Sequence, residues 1–201
     1  MKIIGLTGPS GSGKSYCCQA LATNGIPTIN ADEVYHELIA TDTPCVRELV
    51  AAFGCGILNE NGGINRRALA AIVFAEDKEK KLLQLNAIAH KYVHDVTCSR
   101  IVEYEAQGIR AVTVDAPLLF EANFDSFCDF CIAVLAPIEM RLCRIMARDS
   151  IPEEQARARL AAQKSDDFYR TRADYVIVND STCERLESSV TEILRKESLL
   201  S

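Results

Sequence analysis

The sequence predicts an α/β protein, a three-layer α/β/α fold built on a parallel five-stranded sheet. Short apolar or β-branched runs near 3–6, 26–29, 111–115, 130–135 and 173–178 alternate with helical patterns. The first of these runs leads into Gly8-Pro9-Ser10-Gly11-Ser12-Gly13-Lys14-Ser15, a strand–GxxxxGK[ST]–helix arrangement. The 201 residues, 48% hydrophobic and 25% charged, allow one domain with a substantial core.

The glycine-rich segment has a direct chemical reading. Glycines let the backbone turn back with its N–H groups facing inward, a nest for anionic oxygens. The following helix contributes its positive end. Lys14 suits the β- and γ-phosphates of a nucleotide, and the Ser15 hydroxyl suits Mg²⁺. Gly8, Gly11, Ser12, Gly13, Lys14, Ser15 and the adjoining Tyr16 are therefore the candidate nucleotide-binding residues. A net charge of −6 argues against a large basic face for nucleic acid, so the expected partner is a small phosphorylated ligand.

Beyond the loop, a helix from Ser15 to about Thr23 ends at Asn24-Gly25. A second strand over 26–29 delivers Asn30-Ala31-Asp32 at its carboxyl end, where open α/β sheets place ligand-binding residues. Asp32 is both a candidate site carboxylate and the expected N-cap of a helix from Glu33 to Ala40. Thr43-Pro44 starts a helix to Phe53. An irregular stretch follows from Gly54 to Gly63, then a short helix capped by Asn65 and a long one from Asp77 to about Glu105. Residues 40–105 exceed what a crossover needs and are read as a helical insertion.

Ala111–Asp115 reads as a strand ending in a carboxylate, the form of a Mg²⁺-linked Walker B position. The apolar turn Ala116-Pro117-Leu118-Leu119-Phe120-Glu121 follows, and 130–135 is the fourth strand. The helix over 138–149 aligns Arg141, Arg144 and Arg148, either a solvated face paired with Glu139 and Asp149 or a phosphate clamp. A further helix runs from Pro152 to Lys164, and 138–170 is read as a lid. The fifth strand ends at Asn179, and Thr182 is the expected cap of an amphipathic last helix.

Nothing points to metal ligation by His90 and His94, which lack a HExxH pattern. The nine cysteines, Cys128-x-x-Cys131 included, read as packing residues of a reducing cytoplasm. No run reaches the length of a membrane span and no leader-type apolar region follows Met1, so a cytoplasmic protein is expected. A GTPase switch would need Gly in the third-strand D-x-x-G, where Leu118 stands. A dinucleotide site would need G-x-G-x-x-G. Small-molecule and nucleotide kinases are left, with a nucleotide-dependent binding module as the non-enzymatic alternative.

Over nearly its full length the sequence resembles the dephospho-coenzyme A kinase family. The carriers are Leu6-Thr7-Gly8 with Gly13-Lys14-Ser15, Ala31-Asp32, Gly63-Ile64-x-Arg66, Leu85-Asn86-x-Ile88-x-His90, Asp115-x-Pro117-Leu118-Leu119-Phe120-Glu121, Arg144-x-x-x-Arg148-Asp149, Gln163, and Ala173-Asp174-Tyr175-Val176-Ile177-x-Asn179. Family members often carry Asp at positions 30 and 65 and Pro at 91, where Asn30, Asn65 and Lys91 stand here. The resemblance implies a P-loop NTPase fold and ATP-dependent phosphorylation of dephospho-CoA, with Mg²⁺. It implies Asp32, Lys14, Arg144 and Arg148 in catalysis. Arg66, His90, Pro117 and Leu118, with Asp32, would hold the substrate; Asn179 would lie near adenine; Ser15 and Asp115 would serve the metal. A monomer without nucleic-acid or membrane partners is expected, and a nucleoside monophosphate kinase or another small-molecule P-loop kinase is the alternative.

Overall fold

The structure, a computed structural model, describes residues 1–75 and 77–200. Its strands are β1 (Lys2–Thr7), β2 (Thr28–Asn30), β3 (Ala111–Asp115), β4 (Phe130–Leu135) and β5 (Tyr175–Val178). Its helices are α1 (Lys14–Thr23), α2 (Ala31–Ala40), α3 (Pro44–Phe53), α4 (Arg66–Val73), α5 (Lys78–Ala106), α6 (Ile138–Asp149), α7 (Glu153–Ala161), α8 (Asp166–Arg170) and α9 (Cys183–Lys196). The strands form one sheet in the order β2-β3-β1-β4-β5. The β1–β3, β1–β4 and β4–β5 ladders are parallel, so the connections cross over with helices on the faces. The predicted α/β class is the one the chain adopts.

Burial on both faces explains why the central strands read as continuous apolar runs. In β4, Phe130, Ile132 and Val134 pack with Leu21 of α1 and Leu186, Val190 and Leu194 of α9. Ala133 and Leu135, pointing the other way, pack on Tyr169 of α8 with Phe120 and Phe168 beside them. Period-2 alternation thus joins two helical layers through one strand.

Two aspartates set strand alignment just ahead of the ladders. The Asp129 carboxylate accepts from the Ile3 N–H at 2.6 Å, and that of Asp174 accepts from the Cys131 N–H at 2.7 Å. In each case the same aspartate's own N–H donates back to the paired residue's carbonyl. The Asp174 of the A-D-Y motif is therefore a register device for β5 against β4.

The chain folds as two compact units, Met1–Ile29 with Tyr104–Ser201, and Asn30–Glu103. The second has its own core of Ile39, Val46, Leu49, Ile57, Leu69 and Ile88. Thr43 caps α3 and Asn65 caps α4, as the sequence predicts. The cap of α2, however, is Asn30, whose side-chain oxygen accepts from the N–H groups of Asp32 and Glu33 at 2.9 and 3.1 Å. A cap must have extended backbone; Asn30 has it, whereas Asp32 already lies in the first turn and its carboxylate is released from capping. The expected helix to Lys164 is also shorter. It ends at Ala161, and Ser165 caps the separate α8. At α9, Thr182 holds the N-cap position but makes no side-chain cap bond.

Removing the β5 pin in Asp174→Ala should lower stability by about 1 kcal/mol, while Asp174→Asn, which keeps an acceptor, should lose less, as read by urea denaturation. A second expectation concerns acid. Hydrogen bonds from Lys2 and Tyr175, both at 2.6 Å, hold the Glu197 carboxyl below its ordinary value. A depressed folded pKa gives stabilisation that is full above the unfolded value near 4.5 and is lost as pH falls through the folded value. Glu197→Gln should therefore flatten the acid side of a urea-midpoint profile and leave its neutral slope unchanged.

Candidate active site

The phosphate loop bridges β1 and α1. Gly8 adopts φ +146°, and a Cβ there would collide with the Val134 carbonyl of β4. Gly13 adopts φ +94° as the N-cap of α1, and a Cβ there would collide with the Asn179 amide. Close approach of other backbone and side chains, not only the turn, dictates glycine at both places. No side chain caps α1 and no acidic residue stands in its first turn, so its positive end is left for an anion. Ser12 is 1% exposed, and its hydroxyl has no hydrogen-bond partner among the described residues. A buried hydroxyl of that kind in a loop of this shape fits phosphate oxygens.

Lys14, the first residue of α1, makes an ion pair with Asp115 at the end of β3. Both side chains are largely buried, at 18% and 9% exposure. The second Asp115 oxygen lies 3.6 Å from the Cys18 sulfur. Burial, then the Asp115 charge, pushes the Cys18 thiol up to about 12, and burial raises the neighbouring Cys17 further. Both stay protonated, so neither offers a thiolate here. Pro117 is fixed beside the start of the loop, its carbonyl accepting from the Thr7 hydroxyl at 3.2 Å, and Leu118 is exposed.

The carbonyl side of the loop is held by α6 and by the residue after β5. Arg144 donates to the carbonyls of Gly11 and Ser12 at 3.1 and 3.3 Å. Asn179, 7% exposed, donates to the same Ser12 carbonyl at 2.8 Å. Arg148 donates to the Ser10 hydroxyl at 3.2 Å and to both oxygens of Asp149. The spacing of the arginine stripe is legible in sequence. The burial of Arg141, at 5% exposure, is not, and neither is its contact with the loop.

The structure thus brings together the loop, Asp115, Pro117, Arg144, Arg148 and Asn179 in the first unit. Asp32, Arg66 and His90 belong to the second. Asp32 is exposed in the first turn of α2, Arg66 opens α4, and His90 is half-buried on α5. Arg66 lies near enough to Tyr35 to counter, in part, the burial that raises that phenol. Lys91 donates to Glu48 at 2.9 Å and Tyr92 to the same oxygen at 2.6 Å. Among the described residues no group of three or more His, Cys, Asp or Glu is arranged to hold a metal. The hard oxygens of Ser15 and Asp115 suit Mg²⁺ that arrives with a nucleotide.

Lys14→Ala should weaken nucleoside triphosphate binding and, by leaving Asp115 without its cation, cost about 2 kcal/mol of stability. Adding Asp115→Asn should recover much of the stability and none of the affinity. Thermal melts and calorimetry with Mg-ATP separate the two effects.

A family model described as dephospho-CoA kinase matches residues 2–185. The dephospho-CoA kinase of Thermobifida fusca is 40% identical over 190 residues, covering 94% of this chain and 93% of that protein. That of Bacillus licheniformis is 38% identical over 192 residues, with 96% and 94% covered. Among solved structures, a Thermus thermophilus protein matches with a TM-score of 0.81 at 31% identity over 97% of both chains. A shikimate kinase from Bacteroides thetaiotaomicron, at 16% identity and a TM-score of 0.58, shares the fold. With the family match running from β1 into α9, this chain belongs to the dephospho-CoA kinase family.

Proposed function

We propose that the protein transfers the γ-phosphoryl group of ATP to the ribose 3′-hydroxyl of dephospho-CoA, giving CoA and ADP, the last step of coenzyme A assembly. The observation that carries this reading is a family match over almost the whole chain, with the phosphate loop and its Lys14–Asp115 pair intact. Phosphoryl transfer of this kind depends on positioning and charge neutralisation more than on covalent chemistry.

Gly8, Gly11, Ser12 and Gly13 cradle the triphosphate against the open end of α1. Lys14 exchanges Asp115 for the β- and γ-phosphate oxygens. Ser15 would hold Mg²⁺ directly and Asp115 from one shell further out; the ion supplies charge neutralisation on the phosphates. Tyr16 and Asn179 lie toward the adenine end. The 3′-oxygen attacks the γ-phosphorus, the bond from that phosphorus to the β,γ-bridging oxygen breaks, and ADP leaves. Asp32 orients the attacking hydroxyl and accepts its proton, a role that Asn30 leaves it free for by taking over the cap. Arg144 and Arg148 carry the compensating positive charge at the loop, within a lid spanning 138–170. The 40–105 helical region holds the CoA precursor through Arg66 and His90, and Pro117 and Leu118 bind the same substrate. The enzyme acts as a cytoplasmic monomer on these small molecules.

Asp32→Asn tests the assignment of the base. It should leave the dissociation constant for Mg-ATP unchanged and lower dephospho-CoA-dependent ADP release by about 100-fold or more. Turnover near the parent level would remove Asp32 from the mechanism.

A further inference from the structure

Three residues form a closed hydrogen-bonded ring behind the phosphate loop. The Ser10 N–H donates to the side-chain oxygen of Gln163 at 3.1 Å. The same Gln163 oxygen accepts from Arg141 Nη2 at 2.6 Å. Arg141 Nε donates in turn to the Ser10 carbonyl at 3.1 Å. Both backbone groups of one loop residue are thereby tied to side chains from two different segments, α6 and the turn after α7. Arg141 also meets Asp166 of α8 at 3.5 Å.

The chemistry of the ring is selective. Arg141 is 5% exposed, and burial lowers its pKa while Asp166 and Tyr169 act against that. A buried guanidinium needs its donors filled in fixed directions, and its planar fork presents Nε and Nη2 side by side. Here that fork spans the Ser10 carbonyl and the Gln163 oxygen. Gln163 works as an acceptor with two lone pairs in one place, receiving Ser10 and Arg141 together. Because its N–H is committed to Gln163, Ser10 is held with its peptide plane fixed. Its immediate neighbour Gly11 packs closely on the Arg141 backbone, since a Cβ there would come within 2.7 Å of the Arg141 carbonyl oxygen.

We propose that Arg141 and Gln163 are positioning residues for phosphoryl transfer, holding the Ser10 peptide so that the loop is shaped for the triphosphate before nucleotide arrives. The proposal rests on the kinase reading above for its purpose, but its mechanics concern nucleotide binding alone. It also links the loop to the segment after α7: displacing that segment withdraws Gln163 and loosens the cradle.

The test compares Gln163→Ala, Gln163→Met and Gln163→Glu with the parent chain. Met keeps the length without an acceptor and stands in should the alanine variant not fold; Glu keeps an acceptor for both donors. Three quantities are read: Mg-ATP affinity by calorimetry without acceptor, amide exchange of peptides covering the loop and β3, and turnover with dephospho-CoA. Expected for Ala or Met is binding weaker by about 10-fold, with faster exchange in the loop and unchanged exchange in β3. Gln163→Glu should bring affinity and loop exchange back to within about two-fold of the parent. Unchanged affinity in Ala and Met, lost affinity without faster loop exchange, or no recovery in Glu would each overturn the proposal. A parent chain that binds ATP but does not phosphorylate dephospho-CoA would instead overturn the kinase reading, and the binding comparison would still decide the role of the ring.

Discussion

A loop that turns its N–H groups toward a phosphate must turn carbonyls the other way, and buried carbonyls need donors. That constraint organises the first unit of this protein. The Gly11 and Ser12 carbonyls receive Arg144, Ser12 also receives Asn179, and the Ser10 carbonyl receives Arg141. The donors come from α6 and from the residue after β5, so the helix following β4 and the end of the last strand are both recruited to one turn. Two crowded glycines of the loop follow from the same packing. Val134 closes on Gly8 and Asn179 on Gly13, leaving no room for a side chain at either position.

On the other side, charge is left unbalanced in a useful sense. The first turn of α1 carries no acidic residue, and its Lys14 is paired with Asp115. An arriving triphosphate must compete for Lys14 against a single buried carboxylate. The nearby thiols do not disturb this balance, because burial keeps Cys17 and Cys18 protonated. The Cys128–Cys131 pair serves packing of a different kind: both sulfurs crowd Gly5 in the central strand, and Cys128 donates to the Phe124 carbonyl at 3.2 Å.

Much of this is legible in the sequence because it is local. The loop lies between a strand and a helix, Thr43 and Asn65 cap helices through neighbours two or three residues away, and the apolar runs mark the strands. Asn30 hides behind Asp32, since either residue type can cap and only backbone geometry distinguishes them. The arginine stripe shows a face but not which member is buried, because spacing carries no information about what packs on that face. Asn179 meets Ser12 across 167 positions and Gln163 meets Ser10 across 153, contacts that no periodicity encodes. In the sequence Asp174 reads only as part of the fifth strand and Asp129 carries no signal of its own; their task becomes visible only when the partner strand is in place.

The most direct measurement is product identification after incubation with Mg-ATP and dephospho-CoA, with AMP, UMP and CMP as parallel acceptors. The account predicts ADP release that requires dephospho-CoA, with CoA identified by mass and its new phosphate assigned to the 3′-oxygen by phosphorus NMR. Release with a nucleoside monophosphate alone, or at the same rate without any acceptor, would contradict it.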